Sequence, residues 1–269
     1  MKRAAVHIAL GVIALLTLAP ILWMVSVSFM SPGEAAASPP PLLPREATLG
    51  NYRQLLAQAG MGRAFLNSAL LATCAALLSL AFNVTAGYAF AKLHFTGRDR
   101  IFRGLLAALV IPGQVAMIPV FLMLKSAGLV NTYLGVLLPA MAQVPGIFLV
   151  RQYAVSVPDS LLEAARIDGA GEGRLFRSIV LPSLAPILVT LAVLSFLGSW
   201  NDFLWPLIVL ADDRLYTLPV ALASLTREHV PDSELMMAGS VITVLPVLAL
   251  FLLLQRYYIR GLLAGSVKG

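Results

Sequence analysis

The side chains that could do chemistry are concentrated in one polar segment, PDSLLEAARIDGAGEGRLFRSIVLP, at residues 158–182. The segment lies between two apolar runs, and its charged groups are carboxylates and guanidinium groups. Such groups suit ion pairs and charge-assisted hydrogen bonds with another protein. The sequence therefore predicts a compact loop that is held at a membrane surface and that a partner protein could bind.

The first half of this segment has the pattern of a short capped helix. Pro158 suits a first helical turn, and Ser160 with Glu163 has the spacing of a capping box. Small and apolar residues then share one helical face: Leu161, Ala164 and Ala165. The alternative interpretation is a plain amphipathic surface helix in which Glu163 only satisfies backbone donors.

Glycines divide the segment, and a second short helix follows them. Gly169, Gly171 and Gly173 break the first helix. The apolar residues after the glycines recur at helical spacing, and Pro182 is expected to end the second helix. The whole segment is therefore predicted to be a helix, a glycine turn and a second helix.

Other chemistry is difficult to build from this chain. No lysine follows a glycine, so the sequence lacks the phosphate-binding P-loop that would hold ATP. His7, His94 and His229 are far apart in the sequence, so we expect neither a metal site nor a catalytic triad. Each histidine is interpreted as interfacial or solvated.

Composition places the polar segment in a membrane protein. The 269 residues are 59% hydrophobic and 12% charged, whereas soluble domains average about 25% charged residues. The net charge of +6 is spread between apolar runs, which favours membrane orientation over nucleic-acid binding. Cys74, the single cysteine, lies in an apolar run and cannot form an internal disulfide.

Six apolar runs predict an all-α, polytopic fold with six transmembrane helices. The first run is longer than a signal-peptide core, which favours an uncleaved span over a cleaved leader. Pro112 and Pro119 interrupt the third run, which indicates either a helix facing the interior of an assembly or a simple kink. The runs are residues 7–29, 64–91, 104–124, a fourth reaching 150, 183–210 and 235–255.

The distribution of basic residues predicts the orientation. Six spans put both termini on one side, and that side would hold 13 of the 19 lysines and arginines, including those of residues 92–103 and 151–177. Loops rich in lysine and arginine stay in the cytoplasm. The termini and the polar segment are therefore predicted to be cytoplasmic.

The polar segment resembles the EAA loop of ABC importer permeases. The resemblance is carried by Glu163-Ala164-Ala165, Gly169, Ile179 and Leu181-Pro182 at the family spacing. Four further stretches are similar to the carbohydrate branch of these permeases: YAFAKLHFTGR at 88–98, GLVNTYLG at 128–135, SWNDFLWP at 199–206 and TLPV at 217–220. Residues 245–269 most resemble the maltose-type second permease subunit.

The resemblance implies a domain division and a coupling site. Residues 51–269 would form the permease transmembrane domain, and residues 1–50 a first helix followed by an extracytoplasmic, proline-rich loop. The coupling loop would be cytoplasmic and would dock on ATPase subunits. Its expected coupling residues are Glu163, Ala164, Ala165, Asp168, Gly169, Ile179, Leu181 and Pro182.

The resemblance also implies partners in the cell (inner) membrane. They are a second related permease, two ATP-binding cassette subunits and an extracytoplasmic solute-binding protein that delivers a sugar. ATP and Mg²⁺ would bind the cassette subunits, so this chain would carry no cofactor and no catalytic site. We expect the lipid bilayer, and no nucleic acid, to be its other partner.

A neutral cargo needs no fixed countercharge, and polar or aromatic side chains in the spans could line its pathway. Asp202 is the one acid inside a predicted span, where ionisable groups are functional candidates. The tryptophans beside it are also typical of an interfacial aromatic belt. The possible pathway residues are Gln114, Gln143, Trp200, Asn201, Asp202 and Trp205.

Three alternatives remain open from the sequence. The cargo could be a related polyol or glycerol phosphate. A self-contained secondary transporter would show internal repeats and several intramembrane ionisable groups, and neither is evident. A membrane-embedded enzyme would need a clustered catalytic set, which the chain does not offer.

Overall fold

A computed structural model describes residues 2–57, 60–228 and 232–266. Helices make up 76% of the chain, and the described residues contain no strand, which confirms the all-α prediction. The α-helices are α1 (Lys2–Ser28), α2 (Gly50–Ala57), α3 (Met61–Lys92), α4 (Arg98–Ala108), α5 (Gly113–Ser126), α6 (Tyr133–Leu137), α7 (Val144–Val155), α8 (Asp159–Ile167), α9 (Glu172–Leu175), α10 (Leu181–Ser183), α11 (Ala185–Trp200), α12 (Leu204–Val209), α13 (Leu218–Glu228) and α14 (Ser233–Ser266).

Three continuous helical stretches are long and apolar enough to cross a bilayer: Val6–Ser28, Met61–Lys92 and Ser233–Leu253. Three further pairs of helices pass the same test only if each pair is taken as one bent span. The pairs are Arg98–Ala108 with Gly113–Ser126, Tyr133–Ala140 with Val144–Val155, and Glu172–Ser183 with Ala185–Trp200. By length and composition, the six predicted spans correspond to three continuous helices and three bent pairs. The last pair begins at Glu172, inside the polar segment, and not at the predicted residue 183.

The breaks lie where the chain cannot continue an α-helix. Between α4 and α5 the axis turns by 105°. Pro112, which has no N–H and an extended ψ of 133°, is the residue immediately before α5. Pro119, in contrast, lies inside α5 without ending it. Only Pro112 of the two prolines therefore accounts for the predicted interruption.

The second and third breaks have comparable causes. Gln143 is extended, with φ −110° and ψ 127°, and Pro145 occupies the first turn of α7, where a missing N–H costs nothing. That pair bends by 42°. The pair ending in α11 bends by 78° at Leu184, again just before a proline, Pro186.

The chain divides into two compact units. The first contains residues 1–67 and 216–250. In it, the buried Asn51 of α2 donates to the carbonyls of Ser28 and Met30 at 3.0 and 2.9 Å. The buried Glu234 accepts the Ala35 N–H at 2.7 Å. Asn51 and Leu55 are the buried residues of α2, and Asn51 holds α2 to the end of α1.

The second unit contains residues 68–215 and 251–269. Its core joins α3, α7, α8 and α11. The buried members of this core are Val84, Tyr88, Val150, Ala154, Leu162, Val180, Leu184, Ile187 and Leu191. The polar segment at residues 158–182 thus rests on the ends of transmembrane helices and shares their core.

Candidate functional site

The first helix of the polar segment, α8, starts at Asp159, one residue after Pro158. Pro158 is extended, and no side chain caps the helix, so the predicted capping box of Ser160 and Glu163 is wrong. The predicted face of Leu161, Ala164 and Ala165 is largely exposed, with Leu161 at 48%, and the residue that α8 buries is Leu162 (1%). The physical reason is tertiary: α8 is oriented by the core beneath it and not by its own cap.

The glycine turn follows the prediction and has a defined geometry. Gly169 has φ +83°, a left-handed conformation that favours glycine. The Gly169 N–H donates to Arg166 O at 3.0 Å, and the Ala170 N–H donates to Ala165 O at 2.9 Å. This pair of bonds is a Schellman motif, which satisfies the last carbonyls of α8 and stops the helix.

The second half of the segment is helical but continues further than predicted. After α9 the helix widens into a π-helix at Phe176–Val180, and α10 then reaches Ser183. Pro182 was predicted to end this helix, and that prediction is wrong. Pro182 lies in the first turn of α10, where its missing N–H is not needed, and the axis turns at Leu184 instead.

Most of the expected coupling residues are accessible. Glu163, Ala164, Asp168, Gly169 and Pro182 are exposed, and Ala165, Ile179 and Leu181 are partly buried. Sequence reasoning missed Ile167, whose side chain is 87% exposed at the end of α8. The outer face of α8 and its glycine turn therefore offers small, acidic and apolar side chains to a partner.

The inner side of the loop is held by charged side chains that sequence reasoning also missed. Lys92, at the end of α3, donates to Val157 O at 2.6 Å and to the Asp159 carboxylate at 2.7 Å. Tyr88 donates to Glu172 at 3.1 Å, and Arg166 bonds the same carboxylate at 2.9 Å.

The Lys92 hydrogen bond, with its positive charge, lowers the pKa of Asp159 below its ordinary value. The signal in the sequence was a lysine and a tyrosine one helical turn apart in YAFAK, at the end of an apolar run.

The possible pathway residues fall into two groups. Gln114, Gln143 and Asn201 are exposed on the surface of the chain. Trp200 and Trp205 are buried, with 1% and 6% of their surfaces exposed. Trp200 stacks on Phe196, and the Trp205 indole N–H donates to Gly135 O at 3.2 Å. In this conformation Trp205 joins α12 to α6, while the stacking of Trp200 lies within α11. The assignment of these side chains to a pathway stays a prediction.

Asp202 lies outside any helix, between α11 and α12, although the sequence placed it inside a span. Its carboxylate accepts the Trp205 N–H at 3.3 Å, near the start of α12. Aspartate commonly satisfies the free N–H groups at a helix start. The helix of the fifth apolar run therefore ends before Asp202, which lies in the short connection between α11 and α12.

A buried polar group that sequence reasoning missed lies on α3. Asn83 is fully buried, donates to Ser79 Oγ at 2.7 Å and accepts the Gln143 N–H at 3.0 Å. Ser79 in turn lies 2.8 Å from the Ser195 hydroxyl of α11. Hydrogen bonds of this kind join helices inside a bilayer. The side-chain oxygen of Asn83 thereby accepts a backbone hydrogen bond from Gln143, the residue immediately before α7.

The histidines show no shared site in the part of the chain that the structure describes. The His7 imidazole lies 2.6 Å from Arg3 O within α1, and His94 lies in the loop after α3. His229 lies outside the described residues. No group of three or more metal-binding side chains occurs among residues 2–57, 60–228 and 232–266.

Among the described residues, continuous and bent apolar helices with a helix-turn-helix loop packed on their ends define a polytopic helical membrane protein. Residues 83–263 match the family described as "Binding-protein-dependent transport system inner membrane component". The chain belongs to this family, which confirms the predicted resemblance to ABC importer permeases; the role of residues 158–182 as the coupling loop stays a prediction.

Relatives align along most of the chain, from 85% to 99% of its length. The arabinooligosaccharides transport system permease protein AraQ of Halalkalibacterium halodurans is 39% identical and covers 97% of this chain and 95% of its own length. The osmoprotective compounds uptake permease protein GgtD of Synechocystis sp. is 36% identical, with 99% and 93% covered. The melibiose/raffinose/stachyose import permease protein MelC of Bacillus subtilis is 34% identical, with 85% and 84% covered.

Solved structures share the fold. A bacterial ABC transporter involved in the import of the acidic polysaccharide alginate matches with a TM-score of 0.86 and 24% identity, over 96% of both chains. A bacterial alginate ABC transporter in complex with a pentasaccharide-bound periplasmic protein matches with a TM-score of 0.67 and 14% identity, over 94% of this chain and 93% of the other. At these identities the likeness concerns the fold alone.

Proposed function

We propose that this chain is one permease subunit of an ATP-driven importer that moves a carbohydrate across the inner membrane. A second related permease completes the pathway, and an extracytoplasmic binding protein delivers the sugar. ATP and Mg²⁺ bind two cassette ATPase subunits that dock on residues 158–182 from the cytoplasm. The chain itself hydrolyses nothing.

The single observation that carries this proposal is the loop with its exposed outer face. Ala164 and Ile167 of α8 are exposed, as is Asp168 immediately after the helix, and the left-handed Gly169 follows. A Cβ built at Gly169 meets no atom of this chain within 4 Å, so the space beside the turn is open to a partner. Small residues on a short helix permit a close approach, and Asp168 can pair with a basic group of an ATPase subunit.

The orientation is supported by charge. The side that carries the loop and both termini would hold 13 of 19 basic residues, in agreement with the positive-inside rule. An inner-membrane location fits the family, whose members are described as inner membrane components.

The carbohydrate assignment is supported by relatives and by the chemistry of the spans. AraQ is named for the transport of arabinooligosaccharides, and MelC for the import of melibiose, raffinose and stachyose. Apart from Lys92 at the end of α3, the polar side chains buried in the second unit's described helices are hydroxyls and an amide: Ser68, Ser79 and Asn83. Neutral groups of this kind suit a neutral sugar, because a charge buried in the membrane is costly and an uncharged cargo needs no countercharge.

The test combines assembly and transport. Co-expression with the neighbouring ATPase, permease and binding-protein genes should give a complex that co-purifies on a tag placed on this chain. Deletion of the gene should abolish uptake of the labelled sugar that the binding protein retains.

Two results would contradict the proposal. A chain that transports alone, driven by a proton or sodium gradient, would be a secondary transporter. A binding protein that retains only a polyol, glycerol phosphate or amino acid, with sugar uptake intact in the deletion strain, would remove the carbohydrate assignment and leave the permease.

A further inference from the structure

The last turns of α3 place two polar side chains on one helical face, one turn apart. Lys92 Nζ lies 2.6 Å from Val157 O and 2.7 Å from Asp159 Oδ1, just before and at the start of α8. Tyr88 Oη lies 3.1 Å from Glu172 Oε2, at the start of α9. One face of a single transmembrane helix thus bonds the first residue of each loop helix.

The two attachments are joined across the loop. Arg166 of α8 pairs with Glu172 at 2.9 Å, so the carboxylate that accepts from Tyr88 also ties α8 to α9. The Tyr88 and Phe176 rings lie 5.0 Å apart, and Leu162 and Val180 join Tyr88 in one buried core. The loop therefore meets α3 through polar bonds with fixed direction as well as through apolar contact.

The burial of Lys92 is informative because it is costly. A lysine at the end of a transmembrane helix ordinarily extends its ammonium into water. Here only 4% of the side chain is exposed, and the ammonium points at the loop backbone and Asp159. An apolar side chain would fill the same space without a desolvation cost, so packing alone does not call for a lysine. What the ammonium adds is a fixed position for the start of α8.

We infer that Tyr88 and Lys92 are positioning residues that lock the coupling loop to α3, so that a displacement of the loop moves α3 with it. This inference rests on the proposed function, because it gives the docking loop a route into the membrane. Apolar contact alone would let the loop helices slide over the end of α3, since it has no preferred direction. Two hydrogen-bonded attachments at separate points remove that freedom.

The helix that is locked to the loop is itself closely packed on the broken span. A Cβ at Gly87 would lie 2.6 Å from Val150 Cγ1, so α3 and α7 touch through a glycine. Further along α3, Asn83 accepts the Gln143 N–H, at the break between α6 and α7. A movement of α3 therefore reaches the break through contacts that are fixed by hydrogen bonding and close packing.

The test uses the complete complex with its ATPase subunits, second permease and binding protein, reconstituted in liposomes. The variants are Lys92→Met, Lys92→Arg and Tyr88→Phe. Lys125→Met is the matched control, because it makes the same substitution at an exposed lysine of α5. The readouts are ATPase co-purification, ATP hydrolysis with and without binding protein, and sugar transported per ATP hydrolysed.

We expect Lys92→Met and Tyr88→Phe to assemble and to hydrolyse ATP without binding protein at the wild-type rate. Sugar transported per ATP should fall by about tenfold in Lys92→Met, the loss expected for a charge-assisted hydrogen bond, and by less in Tyr88→Phe. Lys92→Arg should recover most of the ratio, because a guanidinium can donate to both acceptors. Lys125→Met should match the wild type.

A wild-type ratio in both Lys92→Met and Tyr88→Phe would overturn the lock. So would a parallel fall of transport and hydrolysis with the ratio unchanged, since that pattern reports fewer intact complexes. If the Lys92→Met complex fails to assemble, the sugar-to-ATP ratio of Tyr88→Phe provides the test. That variant removes only the hydroxyl oxygen and keeps the ring in the core, so we expect it to fold. A wild-type chain that recruits no ATPase would overturn the proposed function, and the lock with it, whereas the preceding outcomes leave the proposed function standing.

Discussion

Gly169 provides the sharpest test of the docking loop, because folding and docking make different demands on it. Folding demands the left-handed φ of +83° in the Schellman motif that ends α8. Docking demands that nothing project from the turn toward the partner. The substitutions Gly169→Asn and Gly169→Asp add side chains of nearly equal size, and only the second adds a charge.

The folding cost of these two variants should be small and equal. A Cβ at Gly169 meets no atom of this chain within 4 Å, so neither variant clashes internally. A left-handed conformation costs an ordinary L-residue about 1–2 kcal/mol, and asparagine and aspartate tolerate it better than most. We therefore expect each to lower the free energy of unfolding by about 1 kcal/mol or less, too little to prevent insertion.

The docking cost should separate them. An unpaired charge buried at an interface costs about 3–5 kcal/mol, and every 1.4 kcal/mol is about tenfold. Gly169→Asp should therefore reduce binding-protein-stimulated ATP hydrolysis and transport by more than about 100-fold. Gly169→Asn adds bulk without charge and should lose much less.

The assay compares the two variants at equal membrane levels. Thermal unfolding of the purified chains reports folding, and stimulated ATP hydrolysis with sugar uptake reports docking. Wild-type transport by a well-expressed Gly169→Asp complex would refute the assignment of this loop as the ATPase dock. Equal losses in both variants, with matching shifts in Tm, would mean that the turn matters for folding only.

Three further predictions concern orientation, pH and packing. In a background whose native cysteine is replaced by alanine, Ser178→Cys should be shielded from an impermeant thiol reagent added outside intact cells, and Ser233→Cys should be labelled; the reverse pattern would refute the topology. Because the pKa of Asp159 is lowered by its lysine partner, the Tm difference between the wild type and Asp159→Asn should be constant from about pH 8 to about pH 5 and should shrink below about pH 4 as the carboxylate is protonated; a difference that grows on acidification would contradict this sign. A Cβ at Gly146 would lie 2.6 Å from the amide nitrogen of the buried asparagine on α3, so thermal unfolding should show that Gly146→Ala destabilises the chain by about 1–3 kcal/mol. The control variant Gly198→Ala adds a Cβ that meets nothing within 4 Å, and it should be neutral or slightly stabilising in the same assay.

Features that depend on neighbouring residues along the chain could be predicted from the sequence. Gly169 ends α8 as expected, because a glycine after a short helix is the usual residue for a left-handed stop. The apolar runs gave the number of spans, since length and composition decide what can cross a bilayer. Their breaks were only partly foreseen: Pro112 lies at a break, while Pro119 is accommodated inside α5.

Features that depend on contacts between distant residues could not be predicted. The start of α8 shows this, because the expected cap of Ser160 and Glu163 is absent and a lysine 67 residues away contacts Asp159 instead. Likewise, Asp202 was expected inside a span on the basis of an uninterrupted apolar run. Nothing in that run signals that the chain leaves the helix to let its carboxylate bond Trp205.

The two sides of the loop differ in burial: the inner side is packed and hydrogen-bonded, and the outer side is exposed. A loop that served folding alone would not need this difference. Its inner side is fixed by a nearly buried lysine, a tyrosine hydroxyl and an apolar core, all of which cost conformational freedom or desolvation. Its outer side leaves Ile167 87% exposed beside a glycine with open space around it. Burying the Ile167 side chain against a partner would stabilise the complex by about 1.5–3 kcal/mol. A surface that is rigidly supported from within and left uncovered outside is what a force-bearing contact requires, because a push from the partner then moves the supporting helix and is not absorbed by the loop.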